Sequence, residues 1–122
     1  MRRRYKVMTA AAVVAVITIS SAQTTGKGKQ LFESRCTGCH SLDADKEGPR
    51  LRGVYGRTAG SVPSFEYSDA LKQSKIEWHD QALNEWLTDP DKRVPGSGMA
   101  FRIQSMEERA AVIAYLKDVS AQ

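Results

Sequence analysis

Both cysteines and one of the two histidines of the chain fall within five consecutive residues, Cys36-Thr37-Gly38-Cys39-His40. This is the C-x-x-C-H pattern at which haem is attached covalently. Positions i, i+3 and i+4 of a helical turn share one face, so two thiols can meet two vinyl groups while the imidazole points at iron. Five residues would then supply both the covalent link and one axial ligand. Thioether attachment also suits an exported protein, from which loose haem would be lost by dilution. Rival chemistries fit less well. A thioredoxin-type redox pair wants a βαβ neighbourhood, and no stretch here alternates convincingly with period two. A zinc site wants four ligands, and the only Cys or His outside the motif is His79. A disulfide closing so short a loop would constrain little.

A second axial ligand must come from elsewhere. The candidates are Met99, Met106, His79, a lysine or water. Met99 lies in the Gly- and Pro-rich stretch Val94-Pro95-Gly96-Ser97-Gly98-Met99, where backbone freedom could deliver a thioether to iron. Met106 falls in the first turn of a helix, on its expected core face, and methionine is usually core filling. His79 follows Trp78 at the entrance to a helix, where an exposed or cap-like role is expected. Methionine ligation would favour Fe(II) and raise the reduction potential. It would also close the coordination sphere, and a closed site transfers electrons, whereas an enzyme needs an open position.

The elements that must hold these groups read as helices joined by long loops. A first helix, capped by Thr24 or Thr25, runs through Leu31 and Phe32 into the cysteines. From Ser41 to Val62, Gly48-Pro49, Gly53, Gly56 and Gly60 mark one long irregular loop. A connection of that length is unusual unless something packs inside it. A short helix is predicted from Ser68 to Lys72. Another is predicted from about Asp80 to Thr88, where Leu83, Trp86 and Leu87 form an apolar stripe and Asp89-Pro90 ends it. The last begins at Ser105, with Glu108 completing a capping box and Ala110, Ile113 and Leu116 following at helical spacing. The class is all-α.

The chain opens with Met1-Arg2-Arg3-Arg4-Tyr5-Lys6, then an apolar run of 13 residues from Val7 to Ile19. A basic segment, a short apolar segment and the small residues Ser20-Ser21-Ala22 form the pattern of a signal peptide, with cleavage expected after Ala22. The run is short for a permanent span of about 20 residues; an uncleaved anchor is the alternative. The expected organisation is therefore a signal peptide over 1–22 and one domain over 23–122. Four of the 18 basic residues lie in the leader, so the remainder carries 14 of each sign and is formally neutral, although the whole chain is +4. A nucleic-acid or anionic-membrane role, which a basic domain would invite, is not indicated. Contact with a membrane is expected only through partners or an uncleaved leader.

Across nearly all of the expected mature chain the sequence resembles the class I cytochromes c, within the group of mitochondrial cytochrome c and bacterial cytochrome c2. The resemblance rests on Cys36 to His40, Gly48-Pro49, Gly56-Arg57, Phe65-Glu66-Tyr67-Ser68-Asp69-Ala70, Ile76-Glu77-Trp78, Pro95 to Phe101, and Ile113-Ala114-Tyr115-Leu116-Lys117. It implies the cytochrome c fold: three to five short helices with long loops wrapped around one covalent haem c, carried on Cys36 and Cys39. It implies His40 and Met99 as iron ligands, and the Pro49 carbonyl as acceptor of the His40 Nδ1–H. Tyr67 and Trp78 would bond the haem propionates and Arg57 would offset their charge. Trp86, Ser97 and Phe101 complete the expected haem contacts. Gly28 and Phe32 would pack against Val112, Tyr115 and Leu116.

Three departures stand out. Trp86 replaces a customary tyrosine and Leu71 a customary asparagine, which makes the haem surroundings drier. Gly98 replaces a lysine, leaving the usual basic docking ring partial, with Arg35 and Arg102 as remaining candidates. The implied function is one-electron shuttling without catalysis, by an exported, monomeric, periplasmic protein. Its donor would be a quinol-oxidising complex or a dehydrogenase and its acceptor a terminal oxidase. The alternative is a dedicated cytochrome subunit of a periplasmic dehydrogenase or oxidase.

Overall fold

A computed structural model describes residues 11–12 and 21–122. The basic segment and most of the apolar run lie outside the described residues. Among the described residues five helices follow in order: α1 (Ser21–Arg35), α2 (Asp69–Gln73), α3 (Asp80–Thr88), α4 (Pro90–Arg93) and α5 (Met106–Ser120). No strand forms among the described residues; a single antiparallel bridge joins Thr58 to Glu77. None of the described helices is long and apolar enough to cross a membrane.

The principal helix contact is between α1 and α5. Most of α1 is polar and only Gly28 and Phe32 are buried, so packing rather than propensity holds it. Gly28 makes the crossing possible. A Cβ there would lie 1.9 Å from the Ala111 carbonyl oxygen and 2.9 Å from Tyr115 Cβ. One turn on, the Phe32 and Tyr115 rings meet at 5.4 Å. Residues Val112, Ile113, Tyr115, Leu116 and Val119 of α5 join Leu83, Trp86 and Leu87 of α3 in one core.

Several boundaries differ from expectation. Helix α1 runs straight through Thr24 and Thr25, and the Thr25 hydroxyl bonds back to the Ser21 carbonyl at 3.0 Å, a bond made inside a helix rather than at a cap. Ser68 is the cap of α2, accepting from the Leu71 amide, rather than its first residue. The capping box of α5 is half made. The Ser105 hydroxyl accepts from the Glu108 amide, but the Glu108 carboxylate grips Arg35 in two hydrogen bonds of 2.7 and 3.2 Å. Met106 is 71% exposed, not on the core face. The extra turn α4 starts where α3 stops, because Asp89 caps it and Pro90 occupies its first position, a place proline favours.

The long loop is knitted rather than loose. Leu51 and Arg52 amides return to the Ser41 and Leu42 carbonyls, and Ala59 and Gly56 amides bond Ile76 and Trp78 carbonyls at 2.7 and 2.6 Å. Asp45 accepts from the Arg50 amide and the Ser64 hydroxyl, which ties two distant parts of the loop together.

Candidate functional site

The last turn of α1 continues into the cysteine motif. The Cys36 amide bonds the Phe32 carbonyl at 2.9 Å, and the His40 amide bonds the Cys36 carbonyl at 2.8 Å. Helical geometry therefore carries Cys36, Cys39 and His40 onto one wall of a cavity of about 480 Å³, within the roughly 300–1,000 Å³ typical of small-molecule sites. The same lining holds Pro49, Arg57, Tyr67, Trp78, Trp86, Ser97, Met99 and Phe101, so every site residue expected from the sequence reaches it. His79 does not. It is exposed, at the cap position of α3, with its ring edge-on to Tyr55 at 5.5 Å.

His40 is gripped from two sides. Its Nδ1 is 2.8 Å from the Pro49 carbonyl; a carbonyl only accepts, so Nδ1 carries the proton and Nε2 keeps a lone pair. A Cβ on Gly48 would lie 2.2 Å from His40 Cε1, so the Gly48-Pro49 backbone closes directly over the ring. Burial holds the imidazole below its ordinary pKa, the Arg57 and Lys46 charges add to that, and the Pro49 bond opposes them. The balance favours the neutral ring, the form a metal ligand requires.

The thiols behave differently from a redox pair. Burial pushes Cys36 up to about 11 against the opposing Arg35 charge. Cys39 is exposed and raised by its 3.5 Å hydrogen bond to Glu47. Reactive C-x-x-C thiols are shifted the other way. No cluster of three or more metal-binding His, Cys, Asp or Glu side chains occurs among the described residues.

The remaining lining is mostly apolar, with a few polar groups in need of partners. Trp78 and Trp86 pack side by side, ring centroids 5.2 Å apart; the indole that replaces a tyrosine thus forms wall rather than a hydrogen-bonding post. Tyr67 accepts from the Val62 amide at 3.1 Å. Arg57 donates to the Arg50 carbonyl at 2.9 Å, while its backbone carbonyl takes the Trp78 amide. Among the described residues no carboxylate is hydrogen-bonded to this half-buried guanidinium. Ser97 Oγ is buried without a partner, which is uncommon in a native interior. An apolar cavity, two thiols and a neutral imidazole on one wall, a half-buried cation and an orphan hydroxyl together fit a large flat apolar group bearing carboxylates. They fit haem. Cys36 and Cys39 would hold it covalently and Arg57 would meet its carboxylates.

Further contributors escaped the sequence reading. Val54, Leu83, Leu87, Val112 and Leu116 also line the cavity; the four on helices carried a signal that was read only as packing, and Val54 lies in the long loop. Arg109 is 8% exposed and bonds Asn84 Oδ1 and the Ile103 and Gln104 carbonyls at 2.8, 2.8 and 2.9 Å. It pins the segment following Met99 to α3 and α5. Its signal was a charged residue at the buried register of α5, one turn before Val112 and Ile113.

The chain is similar to known proteins over most of its length. Residues 26–120 match the family "Cytochrome c". Cytochrome c of Euglena viridis is 49% identical over 94 residues, spanning 75% of this chain and 92% of that protein. Cytochrome c of Arabidopsis thaliana is 42% identical over 107 residues, spanning 84% and 96% respectively. Among solved structures, cytochrome cH from Methylobacterium extorquens superposes with a TM-score of 0.73 at 38% identity, covering 77% of this chain and 97% of that one. The chain belongs to the cytochrome c family: it is an electron carrier rather than an enzyme, exchanges electrons with redox partners, and bears haem c on Cys36 and Cys39.

Proposed function

We propose that the chain shuttles single electrons outside the cytoplasmic membrane as a monomer, with His40 and Met99 as the axial ligands of its iron. A signal-peptide pattern at residues 1–22 and a formally neutral remainder support export and argue against membrane or nucleic-acid binding. The donor is a quinol-oxidising complex or dehydrogenase and the acceptor a terminal oxidase.

The observation that carries the reading is the placement of His40: Nδ1 is committed to the Pro49 carbonyl, and the ring lines the same cavity as Cys36, Cys39 and Met99. Bound haem c supplies one reversible Fe(III)/Fe(II) couple. The protein's own part is to keep that couple enclosed and poised. Pro49 and Gly48 fix the imidazole, and second partners of this kind set ligand orientation. Arg109 and the Ile103 amide, bonded to the Leu87 carbonyl at 2.8 Å, hold the segment that presents Met99. Trp78, Trp86 and Leu71 exclude water, and Arg57 offsets carboxylate charge. Arg35, Cys39, Glu47, Glu66, Gly98, Ala100 and Phe101 are the exposed parts of the lining, so the rim they form is the route for electrons.

The test is a redox titration of the purified holo-protein, with carbon monoxide added to the reduced form. A single one-electron wave and slow, weak carbon monoxide uptake are expected. Rapid stoichiometric uptake would mean an open iron site and would overturn the closed-carrier reading.

A further inference from the structure

The electron-exit rim has an unusual surface. Two large hydrophobic residues are exposed among the described residues, Phe101 at 39% and Met106 at 71%. Phe101 is on the cavity lining. Met106 stands in the first turn of α5, the turn from which Glu108 reaches across to Arg35, itself on the lining. Phe101 thus belongs to the mouth itself, and Met106 to the helical turn that the Glu108–Arg35 pair ties to it.

The charges around that mouth are matched internally. Arg35 is held by both oxygens of Glu108. Arg102, next to Phe101, pairs with Asp89 at 3.1 Å. Glu66, on the lining, pairs with Lys72 at 3.0 Å. Lys46 and Glu47 act on Cys39 with opposite sign. Paired charges present dipoles, whose fields die away within a few ångströms in salt, so the rim lacks the single-sign field that steers a charged partner. To bind a partner carboxylate, Arg35 would first have to give up a bidentate pair.

Resting on the electron-carrier reading above, we infer that the redox partner docks against Phe101 and Met106 through an uncharged, apolar patch, and not through an acidic one. The complement of a rim without net field and with two exposed apolar side chains is a surface of the same kind.

The test uses gold electrodes as defined partner surfaces: a mixed methyl- and hydroxyl-terminated monolayer, and a carboxylate-terminated one. The holo-protein is expected to adsorb in electroactive form on the methyl/hydroxyl film, with coverage unchanged between roughly 10 and 200 mM salt, a range over which charge-driven contacts weaken. Met106→Ser, which removes an exposed side chain outside the haem contacts, is expected to lower that coverage ~5-fold. Wild type is expected to bind the carboxylate film poorly. Glu108→Gln with Asp89→Asn, which unpairs Arg35 and Arg102, is expected to bind it in a salt-sensitive way. A distant control, Glu77→Gln, makes part of the same charge change and is expected to leave binding as it was. Wild-type adsorption on the carboxylate film that salt releases, or a Met106→Ser coverage equal to wild type, overturns the inference. A solution titration with soluble mediators separates the two readings: no one-electron wave there sinks the carrier reading, while a normal wave with the wrong film preference sinks only the docking surface.

Discussion

Replacing Gly28 by alanine sets two well-defined effects against each other. Alanine in a helix interior is favoured over glycine by about 0.8–1.0 kcal/mol, so an unpacked site would be stabilised. At Gly28 the added Cβ would lie 1.9 Å from the Ala111 carbonyl oxygen, 2.7 Å from its carbon and 2.9 Å from Tyr115 Cβ. Ordinary C···O contacts are about 3.3–3.6 Å, so α1 and α5 must separate by more than an ångström. The obstacle is backbone, which has no rotamer to escape into. Overpacking of this kind costs about 1–3 kcal/mol, and a gap of about 1 Å forfeits up to half of each dispersion contact along the crossing. The cost wins. Gly28→Ala is expected to destabilise the holo-protein by ~1–3 kcal/mol net, and Gly28→Leu by at least as much. Because α1 leads into Cys36 and α5 brings Val112 and Leu116 to the cavity, the haem absorption bands should broaden as well. Gly26, on the same helix with nothing within 4 Å of an added Cβ, is the control; Gly26→Ala should be neutral or stabilising. Denaturant titration of both variants reads the signs through the midpoint at constant slope. A Gly28→Ala protein as stable as Gly26→Ala would refute the close crossing.

Three further outcomes follow from the site. Gly48→Ala would drive a methyl into the His40 ring, so a lowered reduction potential and faster carbon monoxide uptake are expected, with an unchanged potential counting against the Gly48-Pro49 clamp. Arg109→Met leaves Asn84 and two loop carbonyls without their donor, a loss of ~2–4 kcal/mol, and Arg109→Lys should not restore it because an ammonium lacks the planar fork; rescue by lysine would refute the geometry. The Ser64 hydroxyl, then the Arg50 amide, hold Asp45 below its ordinary value of 3.8. A depressed folded pKa gives stability that is present above the unfolded value and lost as pH falls through the folded one. The midpoints of wild type and Asp45→Asn should therefore differ at neutral pH and converge in acid, and parallel curves would rule out a role for Asp45.

What could be read from the residues was whatever depends on short-range spacing. Leu83, Trp86 and Leu87 with Pro90 beyond them defined α3 to the residue, and Ser105 marked the start of α5. Cys36 to His40 announced its own chemistry because helical spacing brings its three reactive side chains to one face. What escaped depends on partners far along the chain. Glu108 was read as completing a local cap, yet it reaches Arg35, 73 positions away. Met106 occupies a turn that looked core-facing, yet it is exposed. Asp89-Pro90 was read only as a stop, although the same pair is also a good start. Arg109 drew no reading at all, because only the folded loop supplies the carbonyls that bury it. The 41–62 loop has no periodicity to read; its order comes from bonds to Ile76 and Trp78 and from the cavity it helps to enclose.

The identity of the axial ligands is tested most directly by the ferric absorption spectrum of the wild-type holo-protein beside Met99→Ala and Met106→Ala. The long-wavelength charge-transfer band of a thioether on ferric haem is expected in wild type and in Met106→Ala, and its loss is expected in Met99→Ala, together with a lower reduction potential. A band that survives in Met99→Ala, or that disappears in Met106→Ala, would contradict the assignment of Met99 beside His40.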